Sequence, residues 1–410
     1  MAENARPEAR SPERAGPAAA RGVGRRWLYG LGPLLLLGGL LAAFLRFDPL
    51  GALRSPFPPL EELTIERVSF PAASEMIVHV VNGGPEPVTV AQVMVDDAFW
   101  EHEMDPGRTI PRLGRARIRL PYPWVDGEPL AVTLVSSTGV TFEHEVDVAT
   151  LSPRAGPRFF AVFALLGAYA GVVPVLIGLL WAPFLGGIGR RWLDFFLSLT
   201  VGLLVFLGVD SLHEALEAAT AVPSALRGTG IVVMGVAGSV LVLRASAAHR
   251  RSAGIERNAA AGRLRLATLI AAGIGLHNLG EGLAIGSAFA VGEIALGSFL
   301  VVGFALHNTT EGIGIVAPVA ADRPGIRRLA ILGAIAGLPT IAGTWIGGFA
   351  YTPALGALFL ALGAGAIFEV VWELGRLVQG SEGGLFAPRN ATGLAVGLGV
   401  MYATALLVVA

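Results

Sequence analysis

The sequence contains no cysteine and no lysine, and only 15% of its 410 residues are charged. Without thiols there are no disulfides, no thiolate metal ligands and no cysteine nucleophiles, so any metal must be held by imidazole, carboxylate, amide or water. All 30 basic residues are arginine and the net charge is −1, which leaves no basic field to attract nucleic acid. The shortage of charge is equally informative, because soluble domains carry roughly 25% charged residues. Here 53% of residues are apolar and the mean hydropathy is +0.64. Lipid is therefore expected to be the main solvent of this chain.

Residues 1–26 lack any long apolar run and hold Arg6, Arg10, Arg14, Arg21, Arg25 and Arg26. They are read as a disordered cytoplasmic tail. Trp27 to Leu45 is uncharged, longer than the roughly 7–15 residues of a signal-peptide core, and ends without a small-x-small cleavage site. This is read as a retained signal anchor, with a cleaved signal as the lesser alternative. Residues 50–155 change character, with proline and charge returning and apolar residues alternating with polar ones. Met76–Val81, Val88–Val95, Ala116–Leu120, Leu130–Val135 and Val140–Val146 read as strands between Gly/Pro turns, giving a small all-β sandwich outside the membrane.

From about residue 158 the chain is apolar again to its end. Eight spans are read at 158–181, 192–218, 229–243, 266–290, 294–319, 329–350, 354–378 and 392–410, each but the short third one long enough for roughly 30 Å of hydrocarbon. Arginine tests the topology. Arg190 and Arg191 follow the first span; Arg244, Arg250, Arg251, Arg257, Arg263 and Arg265 follow the third; Arg323, Arg327 and Arg328 follow the fifth; Arg376 and Arg389 flank the turn after the seventh. The other loops between spans hold only Arg227. Positive charge alternates loop by loop, as the positive-inside rule requires. The expected fold is thus an all-α polytopic bundle of eight helices plus one N-terminal helix, with an extracytoplasmic β-domain, in the cell membrane. The N-terminus is expected in the cytoplasm and the C-terminus outside.

Ionisable residues at bilayer depth cost roughly 2.5–3.5 kcal/mol each on insertion scales, so they read as functional. The fourth span carries His277-Asn278-Leu279-Gly280-Glu281-Gly282, and the fifth carries His307-Asn308-Thr309-Thr310-Glu311-Gly312. These are two copies of His-Asn-x-x-Glu-Gly, in which His and Glu four apart stand on one helix face. Antiparallel helices bring both copies to the same depth. His277, Asn278, Glu281, His307, Asn308 and Glu311 are therefore candidate ligands of a mixed N/O site suited to Zn²⁺, Fe²⁺ or Mn²⁺. Asp210, His213, Glu214 and Glu217 lie near one end of the second span and read as a candidate entrance. Glu369 and Glu373 lie toward the opposite side in the seventh span and read as a candidate exit. Trp100–Asp105 offers a weaker place for metal capture at the mouth, and reads first as a solvated loop. Gly333/Gly337, Gly343/Gly347 and Gly393/Gly397 read as small-xxx-small packing contacts.

The paired motifs, their helix numbers and the eight-span topology resemble the ZIP (Zrt/Irt-like) family of metal transporters over residues 158–410. The family's fourth helix typically reads His-Asn-x-Pro-Glu-Gly, matched by His277–Gly282, and its fifth reads His/Gln-Asn/Asp-x-Pro-Glu-Gly, matched by His307–Gly312. The resemblance implies transport of a divalent cation, zinc first, toward the cytoplasm. It implies His277, Glu281 and Glu311 as primary ligands, with Asn278, His307 and Asn308 supporting them and Glu373 as the helix-seven carboxylate. Two departures stand out. Gly280 and Thr310 replace the motif prolines, and Thr340 replaces the glutamate of the family's sixth-helix Gly-Leu-x-Glu-Pro, which favours a single metal. The resemblance implies no enzymatic activity and no cofactor; the metal is substrate. The expected partners are the cation and membrane lipid, not nucleic acid, with a homodimer left open. Two other readings stand beside this one: a metal-dependent intramembrane hydrolase, and a sensor or scaffold that binds metal without moving it.

Overall fold

A computed structural model of the protein describes residues 18–47, 60–252, 259–380 and 383–409. The first helix, α1, spans Ala18–Phe47. It begins at Ala18, not at the expected Trp27, so Arg21, Arg25 and Arg26 belong to the helix; the rest of the expected tail lies outside the described residues. Its leucines from Leu31 to Leu41 are exposed, among them Leu35 at 73% and Leu36 at 68%. Such a surface suits lipid and not water.

The β-domain is an antiparallel sandwich. One sheet runs β1-β2-β7-β5, with β1 Leu63–Ala72, β2 Glu75–Asn82, β7 Arg115–Leu120 and β5 Glu103–Asp105. The other runs β4-β3-β8-β9, with β4 Ala98–Trp100, β3 Val88–Val95, β8 Leu130–Ser136 and β9 Thr141–Val146, and a short β6, Thr109–Ile110, pairs with β3. Val78, Val80, Ile118, Val90, Val93, Val132 and Leu134 point inward from the two sheets and form one apolar core. All five expected strands are present. β1, β4 and β6 are additional to the expected strands, and β5 falls in the Trp100–Asp105 segment that reads first as a solvated loop.

Eight further helices follow: α2 Pro157–Leu185, α3 Arg190–Thr220, α4 Gly228–Ser252, α5 Ala259–Ala290, α6 Ile294–Asp322, α7 Ile326–Ala350, α8 Pro353–Gln379 and α9 Pro388–Val409. Seven of them, α2 to α8, are long and apolar enough to cross a membrane. The expected short third span is wrong in length, because α4 continues through Arg244 to Ser252. The loop expected after it is largely helical too, leaving only residues 253–258 outside the description. The bundle is apolar outside, with Leu165, Met234, Leu241 and Val242 exposed, and its interior combines an apolar core that includes Leu207, Ile274 and Ile367 with the buried polar side chains of Asn278, Asn308, Glu281 and Glu311. An apolar exterior over buried ionisable groups suits a bilayer.

Glycines set how closely the helices approach. A Cβ at Gly343 of α7 would lie 2.8 Å from the Leu283 nitrogen of α5, and one at Gly286 of α5 would lie 2.7 Å from the Gly348 nitrogen. α5 and α7 therefore touch backbone to backbone, as small-xxx-small stripes permit. The β-domain rests on one end of this bundle. Glu62 accepts from the Ser224 amide at 2.8 Å, Arg67 donates to the Phe349 carbonyl at 3.4 Å, and Thr150 packs against Gly292. Gly292 holds φ +88, a turn conformation that glycine adopts without strain. These contacts fall on the α3–α4, α5–α6 and α7–α8 connections. All three therefore share one side, and the helices alternate in direction.

Candidate metal centre

The two His-Asn-x-x-Glu-Gly motifs meet inside the bundle. α5 runs unbroken through Gly280, and α6 through Thr310, so neither missing proline interrupts the helix. At the second position the Thr310 hydroxyl donates to the His307 carbonyl at 2.6 Å. The four-residue spacing then does what the sequence implies: His277 Nε2 lies 3.0 Å from Glu281 Oε1 on the same face of α5. His307 Nε2 of α6 reaches the same oxygen. The other oxygen, Glu281 Oε2, accepts from Asn308 Nδ2 at 2.9 Å. Glu281 thus joins the two helices through both imidazoles and an amide, a carboxylate–histidine arrangement that fixes ring orientation.

The asparagines hold the surrounding helices. Asn308 Nδ2 also donates to the Ala170 carbonyl of α2 at 3.1 Å, and Asn278 Nδ2 donates to the Ala336 carbonyl of α7 at 3.1 Å. Ala170 sits in a π-helical turn, Ala168–Val172, and such turns concentrate at functional sites. What remains is a set of buried polar atoms without a hydrogen bond of good geometry: Asn278 Oδ1, Asn308 Oδ1 and both oxygens of Glu311, which interact with the Asn278 side chain, together with His277 Nδ1 and the Thr340 hydroxyl. Buried polar atoms are normally satisfied, so a cluster left without good partners calls for an occupant. One ligand atom from each of His277, His307 and Glu311 can lie within 4.8 Å of the others. Among the described residues this is the only such group of three or more His, Asp or Glu side chains. Two imidazoles and a carboxylate, backed by a second carboxylate and two amide oxygens, make a fitting cradle for a borderline divalent cation.

All six motif residues come together. The grouping adds His307 to the close set, whereas the family resemblance put Glu281 there and left His307 in support. Of the expected entrance residues, Asp210 and Glu214 are half-buried, and the Glu214 carboxylate interacts electrostatically with Asp210, Glu217 and Glu281. These acids of α3 thus lead toward the centre. His213 and Glu217 are exposed. At the expected exit, Glu369 is buried and its Oε2 accepts from Arg244 Nε at 2.6 Å, with the guanidinium 5.5 Å from the Trp372 ring. Glu373 is half-buried one turn further along α8. In the Trp100–Asp105 segment, Asp105 is engaged by Arg117 at 2.6 Å and His102 is half-buried.

Sequence reasoning missed the main-chain partners, Ala170 and Ala336, because a carbonyl leaves no signature in the sequence. It also placed Arg244 in a loop; the residue's position next to an apolar run was the only available hint that it pairs inside. Thr340 stands where the family carries glutamate, and it packs against Gly171, whose added Cβ would lie 2.6 Å from the Thr340 Cβ. No protein-family description matches the chain, and no curated protein matches it.

Proposed function

We propose that the protein moves a divalent transition-metal cation across the membrane, with zinc the first choice and iron or manganese the alternatives. The observation that carries this reading is the convergence of His277, His307 and Glu311, buried at mid-helix, with polar atoms around them that lack a hydrogen bond of good geometry. Glu281 and Glu311 bring two carboxylates into one low-dielectric volume, and a single dication offsets both. The ligand set is imidazole, carboxylate and amide without thiolate, a set that suits zinc, iron or manganese alike.

In this reading the cation enters from the β-domain side past Glu217, Glu214 and Asp210. It exchanges water for His277, His307 and Glu311, with Glu281 holding both rings in place. Release toward the cytoplasm requires the Arg244–Glu369 pair on the opposite side to part, after which Glu369 and Glu373 present acceptors to the ion. The C-terminus and β-domain are then outside and the N-terminus inside, with α9 as the eighth span of the ZIP-like bundle.

Titration of the purified protein with Zn²⁺ by calorimetry tests the site itself. One high-affinity ion should bind, and Glu311→Gln should remove it while leaving the fold intact. A Glu311→Gln protein that binds zinc as well as the parent would overturn the assignment. Binding without flux in vesicles would move the chain to the sensor reading.

A further inference from the structure

A second cavity lies away from the metal centre, where the β-domain meets the helix ends. It encloses about 520 Å³. Its upper wall is the outer face of the β1-β2-β7 sheet, and its lower wall is the turns that end α5 and α7. Strand register aligns Arg67, His79 and Arg117 in one row across three strands. Arg117 is neutralised by Asp105 at 2.6 Å, and Glu66, next to Arg67, is engaged by Arg115 at 3.1 Å. Arg67 itself donates only to the Phe349 carbonyl, and among the described residues it has no carboxylate within ion-pair distance. It is half-buried, and burial lowers its pKa against the opposing pull of Glu66. The cavity thus holds two guanidiniums, those of Arg67 and Arg154, with backbone-carbonyl partners and, among the described residues, no carboxylate within ion-pair distance.

The other side of the cavity carries the opposite imbalance. Glu293, in the turn between α5 and α6, and Asp147, just after β9, both line it. Burial, and then the neighbouring Asp147 charge, raise the Glu293 pKa. Among the described residues neither acid has a cationic partner within ion-pair distance. Val291 and Phe349 supply an apolar floor at the membrane end. Guanidiniums without a carboxylate partner at Arg67 and Arg154, carboxylates without a cationic partner at Glu293 and Asp147, and the apolar Val291 and Phe349 in one cavity define a ligand: an acidic group for the arginines, an ammonium for Glu293 and Asp147, and an apolar remainder.

We propose that this cavity binds a zwitterion carrying one acidic oxyanion and one primary ammonium, with Arg67 and the Glu293/Asp147 pair as its two poles. A phosphoethanolamine lipid headgroup and a free zwitterionic solute share this chemistry. The site is separate from the metal centre and does not depend on the transport reading.

The test uses the full-length protein, extracted from vesicles holding equal phosphatidylethanolamine and phosphatidylglycerol, with retained lipid read by native mass spectrometry. One phosphatidylethanolamine should remain, in about tenfold preference over phosphatidylglycerol. Arg67→Leu and Glu293→Gln should each abolish that preference while Zn²⁺ binding persists. Soluble glycerophosphoethanolamine is the second arm: displacement of the lipid would assign the site to the headgroup alone and so to a free solute. If Arg67→Leu disturbs the β-domain, Glu293→Gln decides, since that side chain makes no capping hydrogen bond to α6. Equal retention of the two lipids by the parent together with no binding of the soluble headgroup, or unchanged preference in Glu293→Gln, would overturn the proposal.

Discussion

At the scale of single residues, Glu281 is the pivot. Its two oxygens receive both imidazoles and the Asn308 amide, so it links α5 to α6 before any ion is present. The motif pair was legible in the sequence because both copies recur at the same helical spacing and depth. The division of labour within it was not, since nothing in the string says which helix rotation brings His307 toward Glu311. The geometry places His307 in the close set with His277, so His307→Ala should lower zinc affinity as severely as His277→Ala. The resemblance alone assigns His307 a supporting place and a milder loss. Calorimetric affinities of the two variants check this, and a much weaker effect for His307→Ala would restore the supporting role. Thr340 shows the limit of family reasoning. It is fully buried against Gly171, so a glutamate there would have to push α2 away from α7.

At the scale of elements, the errors have specific causes. β1 reads Leu63 to Ala72 with Pro71 inside it, and its pairing shifts register between Ile65 and Arg67, so the alternation that reveals a strand is broken. α4 was cut short because arginine at the end of an apolar run signals the membrane surface. Arg244 instead stays on the helix and pairs with buried Glu369. Breaking a buried pair strands the remaining charge, at roughly 3–5 kcal/mol when both partners are buried and less here, where Arg244 is half-exposed. Arg244→Gln should therefore loosen the α4–α8 contact, visible as faster amide exchange in α4, whereas the double change Arg244→Gln with Glu369→Gln should recover much of it. Exchange in the double variant as fast as in the single one would refute a coupled pair.

At the scale of the whole molecule, the alternation of arginine between loops and the seating of the β-domain agree. The three connections that touch the β-domain are the arginine-poor ones of the sequence reading. A cytoplasm-active reporter fused after Ala410 should therefore stay dark, and a bright fusion would invert the topology. The β-domain also carries a pH response. Burial, then the Arg67 and Arg117 charges, pull His79 down from its ordinary 6.5 to about 4. As pH falls the unfolded strands take up that proton before the folded ones do, so the stabilisation is full above about pH 6.5 and is lost on the way down to about pH 4. Protection of β1 and β2 amides, corrected for intrinsic exchange, should fall between pH 7 and pH 4.5, and His79→Gln should flatten that fall. An unchanged slope in His79→Gln would assign the response elsewhere.

In the proposed function, the buried His/Glu centre carries a dication through the bundle. Uptake of radioactive zinc into vesicles containing the purified protein tests it most directly. The parent should give saturable uptake, and Glu281→Gln and Glu311→Gln should each nearly abolish it; Glu311→Gln should do so with expression and melting unchanged, because the Glu311 oxygens accept no hydrogen bond of good geometry and only the charge that a buried cation needs is lost. Normal flux in both variants would contradict the account and return the paired motifs to helix packing.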